Sequence, residues 1–140
     1  MAENACGFCQ GPGGTLLWRD DVCRVVRVDE PQYPGFCRVI LARHAREMSD
    51  LSPAERERLM DVVFAVEEAV REAMEPDKMN LASLGNMVPH VHWHVIPRFR
   101  DDAHFPTPVW GPPQRQAAVP PARAQRAERI PALLVGRLGS

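Results

Sequence analysis

Two periods of hydrophobic spacing alternate along this chain, and between them they predict its elements. From His90 to Val95 imidazole and apolar side chains alternate strictly, His90-Val91-His92-Trp93-His94-Val95. Successive side chains of an extended strand point to opposite faces, so His90, His92 and His94 share one side while Val91, Trp93 and Val95 turn to the core. Shorter β-patterned runs come earlier. Thr15 to Arg19 and Val22 to Val28, joined at Asp20-Asp21, read as a hairpin, and Phe36 to Leu41 reads as a third strand that ends at Ala42-Arg43-His44. The glycines and prolines of Gln10 to Gly14 and of Asp29 to Gly35 cannot continue a ladder and make these segments loops.

After Ser52 the period becomes helical. Leu59, Val63, Val66, Val70 and Ala73 recur at steps of three and four, one apolar stripe on a helix that ends near Met74, before Pro76. Ser52-Pro53-Ala54-Glu55 supplies the start: a serine cap, a proline where the first turn needs no N–H, and a glutamate that completes a capping box. Glu55, Arg56, Glu57, Arg58, Glu67, Glu68 and Arg71 make the solvated face. Lys78 to Leu84 returns to an extended pattern. The short connection Gly85-Asn86-Met87-Val88-Pro89 makes that strand the antiparallel neighbour of the histidine strand.

Beyond Arg98 the patterning fades. Four prolines between Phe105 and Pro113 predict an extended arm carrying Trp110, which is expected to dock on the body or shape a pocket rim. The Ala-, Arg- and Gln-rich stretch from Gln114 to Glu128 is expected to be mobile. Ile130 to Leu138 predicts one last short helix with proline near its start. The chain therefore divides into a domain over 1–104 and a C-terminal extension over 105–140.

Composition narrows the partners. A chain of 140 residues is one domain's worth, and a net charge of −1 gives no global pull toward nucleic acid or a membrane surface. Any phosphate chemistry must then come from a local site. No apolar run reaches the length of a bilayer span, and Met1-Ala2-Glu3-Asn4-Ala5 lacks the basic and apolar regions of a signal peptide. The expectation is a cytoplasmic chain with its four cysteines reduced.

Three imidazoles on one face offer a nucleophile, an acid or base, or a set of metal ligands. Cys6-Gly7-Phe8-Cys9 has the spacing with which two thiolates grip one tetrahedral metal, and it serves equally well as a free thiol pair. His44, at a strand exit, is a third ligand candidate. Cys23 lies within a strand and reads as core filler. The loop at Gly85 brings backbone N–H groups beside the imidazoles, and its glycine lets an anion approach the main chain.

His90-Val91-His92-Trp93-His94-Val95-Ile96 resembles the His-φ-His-φ-His-φ-φ signature of the histidine triad (HIT) superfamily, φ being apolar, and most nearly its bacterial diadenosine polyphosphate hydrolase-like branch. The resemblance covers roughly residues 5 to 100. It implies an α+β fold, an antiparallel sheet with one long helix packed on it, doubled into a homodimer. It also implies hydrolysis or transfer at the α-phosphate of a nucleotide through a covalent nucleotidyl-histidine. Carried onto this chain, His92 resembles the nucleophile, His94 the group that contacts phosphate or leaving-group oxygen, and His90 the supporting histidine.

Asp29 resembles the acidic residue that holds ribose hydroxyls, and Asn80, Gly85, Asn86 and Val88 are the expected substrate contacts around it. The chemistry needs no cofactor. Cys6, Cys9, His44 and His90 resemble the Cys2His2 set of a zinc-bearing branch, a structural zinc that leaves His92 free. Where many relatives have Gly-Gln-Ser or Gly-Gln-Thr, this chain has Gly85-Asn86-Met87. Met87 has no hydroxyl to protonate an amine leaving group, which favours a dinucleoside polyphosphate over a phosphoramidate. The retained third histidine favours hydrolysis, because transferase relatives replace it with glutamine. A non-catalytic nucleotide- or metal-binding module is the alternative from another class.

Overall fold

The structure is a computed structural model that describes residues 5–140; the reading of Met1 to Asn4 lies outside the described residues. Five strands, β1 (Thr15–Arg19), β2 (Cys23–Arg27), β3 (Cys37–Leu41), β4 (Lys78–Ala82) and β5 (His92–Arg98), form one sheet in the order β1-β2-β3-β5-β4. Every neighbouring pair is antiparallel. Four α-helices accompany it among the described residues: α1 (Gly7–Gln10), α2 (Pro53–Met74), α3 (Pro121–Ala127) and α4 (Ile130–Leu138). This is the expected α+β class.

Register assigns the two faces. Val25 pairs with Val39 and Val39 with Trp93, so these side chains share the face that α2 covers. Leu59, Val62, Val63, Val66, Ala69, Val70, Ala73 and Met74 of α2 are all buried there. Each large aliphatic side chain so enclosed contributes about 1.5–3 kcal/mol, which makes this layer the main source of stability. On the opposite face Val26 pairs with Arg38, Arg38 with His94, and Ile40 with His92. The imidazoles thus stand on the side that carries no long helix.

The start of α2 is built as the sequence predicts. Ser52 Oγ accepts from the Glu55 N–H at 3.2 Å, and Glu55 in turn accepts from the Ser52 N–H at 2.9 Å. Arg43, just beyond β3, donates to both oxygens of the same glutamate at 2.7 and 3.0 Å, tying the strand exit to the helix start. The helix ends on Glu75 in the left-handed region, φ 49°.

The C-terminal third departs from the sequence reading. The stretch from Gln114 to Glu128, expected to be mobile, contains α3, which packs against α2. Alanine, arginine and glutamine are strong helix formers, and Arg123 holds the element in place with its guanidinium 3.7 Å over the Phe99 ring. The proline-rich arm turns back on itself instead of running extended. Asp102 gathers it, accepting from the backbone N–H groups of Phe99, His104 and Phe105 and from both Arg98 Nε and Nη2. Burial alone would raise the Asp102 pKa, but Arg98 and those three N–H groups together outweigh it and hold the carboxyl ionised.

α4 adds Ile130 and Leu134 to the main core, and Trp18 Nε1 on β1 donates to the Gly139 carbonyl at 2.9 Å. Among the described residues no helix is long and apolar enough to cross a membrane.

Candidate active site

β5 carries His92 and His94, while His90 sits in the bend that leads into it. All three rings are largely enclosed, at 0%, 5% and 6% exposure for His90, His92 and His94, so each position is set by packing as well as by hydrogen bonds. A backbone carbonyl only accepts, and this fixes two tautomers. His92 Nδ1–H donates to the His90 carbonyl at 2.6 Å, which leaves the lone pair on Nε2. His90 Nε2–H donates to the Leu41 carbonyl at 2.7 Å, which leaves the lone pair on Nδ1.

Burial lowers the affinity of all three rings for a second proton. For His94 burial, His92 and Arg38 together bring the pKa down to about 4. For His92 burial and Arg38 outweigh the hydrogen bond to the His90 carbonyl, which works the other way. All three are therefore neutral near pH 7, the state in which a ring nitrogen is a nucleophile or a ligand.

The free Nδ1 of His90 points at sulfur. It lies 3.4 Å from Cys6 Sγ and 3.5 Å from Cys9 Sγ, and His44 Nδ1 lies 3.3 Å from Cys9 Sγ. The four ligand atoms are all within 4.8 Å of one another. Zinc bonds of about 2.3 Å to sulfur and 2.0–2.1 Å to nitrogen give a tetrahedron with S–N edges of roughly 3.6 Å. The set fits that geometry. Cys6 precedes α1 as its N-cap and Cys9 lies within it, and the Arg24 guanidinium fastens this segment by donating to the carbonyls of Phe8, Gly11 and Pro12. Cys23 and Cys37, by contrast, are pushed up to about 12 by burial and are inert filler.

Phe8, between the two thiols in sequence, turns its ring edge-on to His92 at a centroid distance of 4.7 Å. From the other side Trp110 stands at 4.8 Å from His94 while half exposed. The indole thus shapes the rim. The strand carrying the nucleophile candidate is walled by a residue of the cysteine knuckle and by one of the proline-rich segment.

A family model, the HIT domain, matches residues 13–101. The chain belongs to the HIT domain family. Among curated proteins it is 32% identical over 95 residues to the Bis(5'-nucleosyl)-tetraphosphatase [asymmetrical] of Schizosaccharomyces pombe, covering 64% of this chain and 52% of that one. It is 29% identical over 87 residues to the AP-4-A phosphorylase of Mycobacterium tuberculosis, covering 58% and 45%. The chain spans about half the length of these curated relatives. A solved histidine triad protein from Bradyrhizobium japonicum superposes with a TM-score of 0.72 at 29% identity, covering 91% of this chain and 92% of that one. Both curated relatives carry the names of enzymes that act on dinucleoside polyphosphates.

Within this HIT domain the expected substrate contacts lie in different surroundings. Gly85 adopts φ +77°, a left-handed turn that glycine takes without strain, and Asn86 and Met87 beside it are exposed. Val88 accepts from the His90 N–H at 2.8 Å, so this turn is bonded directly to the first triad histidine. Asn80, on β4 opposite Ile96 of β5, accepts through its side-chain oxygen from Arg98 Nη1 at 2.8 Å. Asp29 meets Thr15 and Arg27, and with Gly35, Ala124 and Glu128 it lines a cleft of about 440 Å³. None of the triad lines that cleft. Phe8, Arg24 and Arg38 were missed by sequence reasoning. The signal that could find the two arginines is their parity, for each alternates with core residues as the histidines do.

Proposed function

We propose that this HIT domain is a nucleotide hydrolase that cleaves at the α-phosphate of a dinucleoside polyphosphate or a related nucleotidyl compound, through a nucleotidyl-His92 intermediate. The observation that carries the reading is the His92–His90 carbonyl bond, which leaves Nε2 as the unprotonated nitrogen of a neutral ring. In the first step that lone pair forms the N–P bond while the P–O bond to the leaving group breaks. Water then attacks phosphorus and the N–P bond breaks, returning His92 and a nucleoside monophosphate. His94, on the same face, contacts the phosphate or leaving-group oxygen. Asp29, Asn80, Gly85, Asn86 and Val88 are assigned to the rest of the nucleotide. The names of the two curated relatives support a dinucleoside polyphosphate as the substrate class.

Met87 is 88% exposed and has no hydroxyl, so no donor for an amine leaving group stands at that turn position; this favours the anhydride over a phosphoramidate. Cys6, Cys9, His44 and His90 would hold a structural zinc, which when bound ties α1 to the residue whose carbonyl orients His92. The metal takes no part in bond making. The working form is a cytoplasmic homodimer.

Quenching the full chain during turnover of diadenosine tetraphosphate should leave one nucleotidyl mass on the peptide containing His92. His92→Asn should abolish turnover while keeping nucleotide affinity within a few-fold. If that variant still turns over, the covalent route is wrong; if nothing is ever turned over while nucleotide binds, the non-catalytic module is the right reading.

A further inference from the structure

On the triad-bearing face two buried polar atoms lack a hydrogen-bond partner among the described residues: Nε of Arg38 on β3 and Nδ1 of His94 on β5. They belong to one cross-strand pair, since Arg38 and His94 are register partners. Buried polar atoms nearly always find a partner, so two orphans at a single register position point to something that joins them.

The arginine is the more telling of the two. Its Nη1 donates to the Gly13 carbonyl at 2.8 Å, and its guanidinium carbon lies 5.7 Å over the Phe8 ring. No carboxylate of the described residues comes within ion-pair distance of it. Arg24, on the same face, is different. It spends its donors on three loop carbonyls and has a structural task that accounts for it. Arg38 has one such bond, an unpaired charge and neighbours that include Val26, Phe8 and His94. A half-buried cation in such surroundings costs stability unless an anion joins it.

Phe8 links the arginine to the triad. Its ring is edge-on to His92 and lies beneath the Arg38 guanidinium, so the arginine, the nucleophile and His94 border one region. We infer that Arg38 is a substrate-binding residue whose counter-ion is a phosphate group of the nucleotide, lying over the Arg38–His94 pair and accepting from Arg38 Nε–H and His94 Nδ1–H. This rests on the nucleotide reading above and adds to it a charged contact for the phosphate. A guanidinium suits that task because its planar fork matches phosphate oxygens and it stays charged at any working pH. Arg38 gives up no proton, and the bonds made and broken remain those at His92.

The test compares wild-type chain, Arg38→Met and Arg38→Lys by titration calorimetry with AMP and with adenosine, alongside thermal melts. Losing a charge-assisted contact should weaken AMP binding roughly ten- to hundred-fold in the methionine variant, with adenosine affinity unchanged. The lysine variant, which keeps the charge and loses the fork, should fall between. The methionine variant should melt close to wild type, because the Gly13 bond it loses is offset by removing a charge that has no carboxylate partner in the free protein. Equal losses for AMP and adenosine, or unchanged AMP affinity with a lower melting point, make Arg38 a strut for the Gly13 loop and overturn the assignment. The two readings fail separately. AMP binding that depends on Arg38 without any His92 adduct removes the covalent chemistry alone, whereas adduct formation and AMP affinity at wild-type levels in Arg38→Met remove only this inference. A wild-type chain that neither binds AMP nor forms the adduct removes both.

Discussion

Burial gives His94 a strong preference for its neutral form, and that preference is a statement about stability as much as about chemistry. The ring binds its second proton near pH 6.5 when the chain is unfolded and near pH 4 when folded, so between those values the unfolded state holds more protons. The stabilising contribution is therefore complete above about pH 6.5 and is lost as the pH falls toward 4. From pH 7 to pH 5 the loss should be roughly 2 kcal/mol for this residue. Urea unfolding of wild type and His94→Asn at the two pH values measures it. The variant should show a flatter pH dependence by that amount, and equal slopes would mean that the ring titrates normally in the folded chain. At this scale the sequence is informative only where the pattern is local. His90, His92 and His94 declare their shared face by alternation alone, whereas Arg38 acquires its meaning from the residue opposite it, and no local pattern states the pairing register. Asp102 is similar: four residues after Arg98 it has helical spacing, yet it works in a turn.

Among the elements, α2 was legible from cap to end because each signal is chemical and local: a serine, a glutamate three residues on, a proline at each boundary. α3 was not, because none of its residues is buried and an element without an apolar stripe has no period to read. The cysteine knuckle lies between these cases. Its spacing offers two candidate ligands, but the strand exit at His44 and the bend at His90 are brought to it only by the folded sheet. Full chain purified without chelator should carry one zinc per copy by elemental analysis, and Cys6→Ser should lose it. Metal-free wild type, or Cys6→Ser that retains a full equivalent, would leave the four groups a hydrogen-bonded cluster.

For the molecule as a whole, the sheet has two edges of different character. β1 is bridged to the C-terminus through Trp18, whereas β4 offers an outer row of backbone groups beside exposed Leu84, Met87 and Trp110. Such an edge can accept a further strand, and the homodimer proposed above would pair it with a second copy of the chain. Light scattering should therefore read about twice 15.7 kDa. A mass of one copy at micromolar concentration would rule out the pairing. The pattern of the sequence could order the strands along the chain, but which strand ends on the outside depends on the crossover through α2, and that is a property of the assembled sheet.

The bond from the Trp18 indole to the Gly139 carbonyl has an optical consequence. An indole that is 7% exposed and tethered to the last turn emits at short wavelength, so fraying of α4 would shift its fluorescence to the red before the β-sheet itself gives way. Replacing Trp93 and Trp110 by phenylalanine would leave Trp18 as a spectroscopic gauge of whether the chain is closed at its C-terminal end.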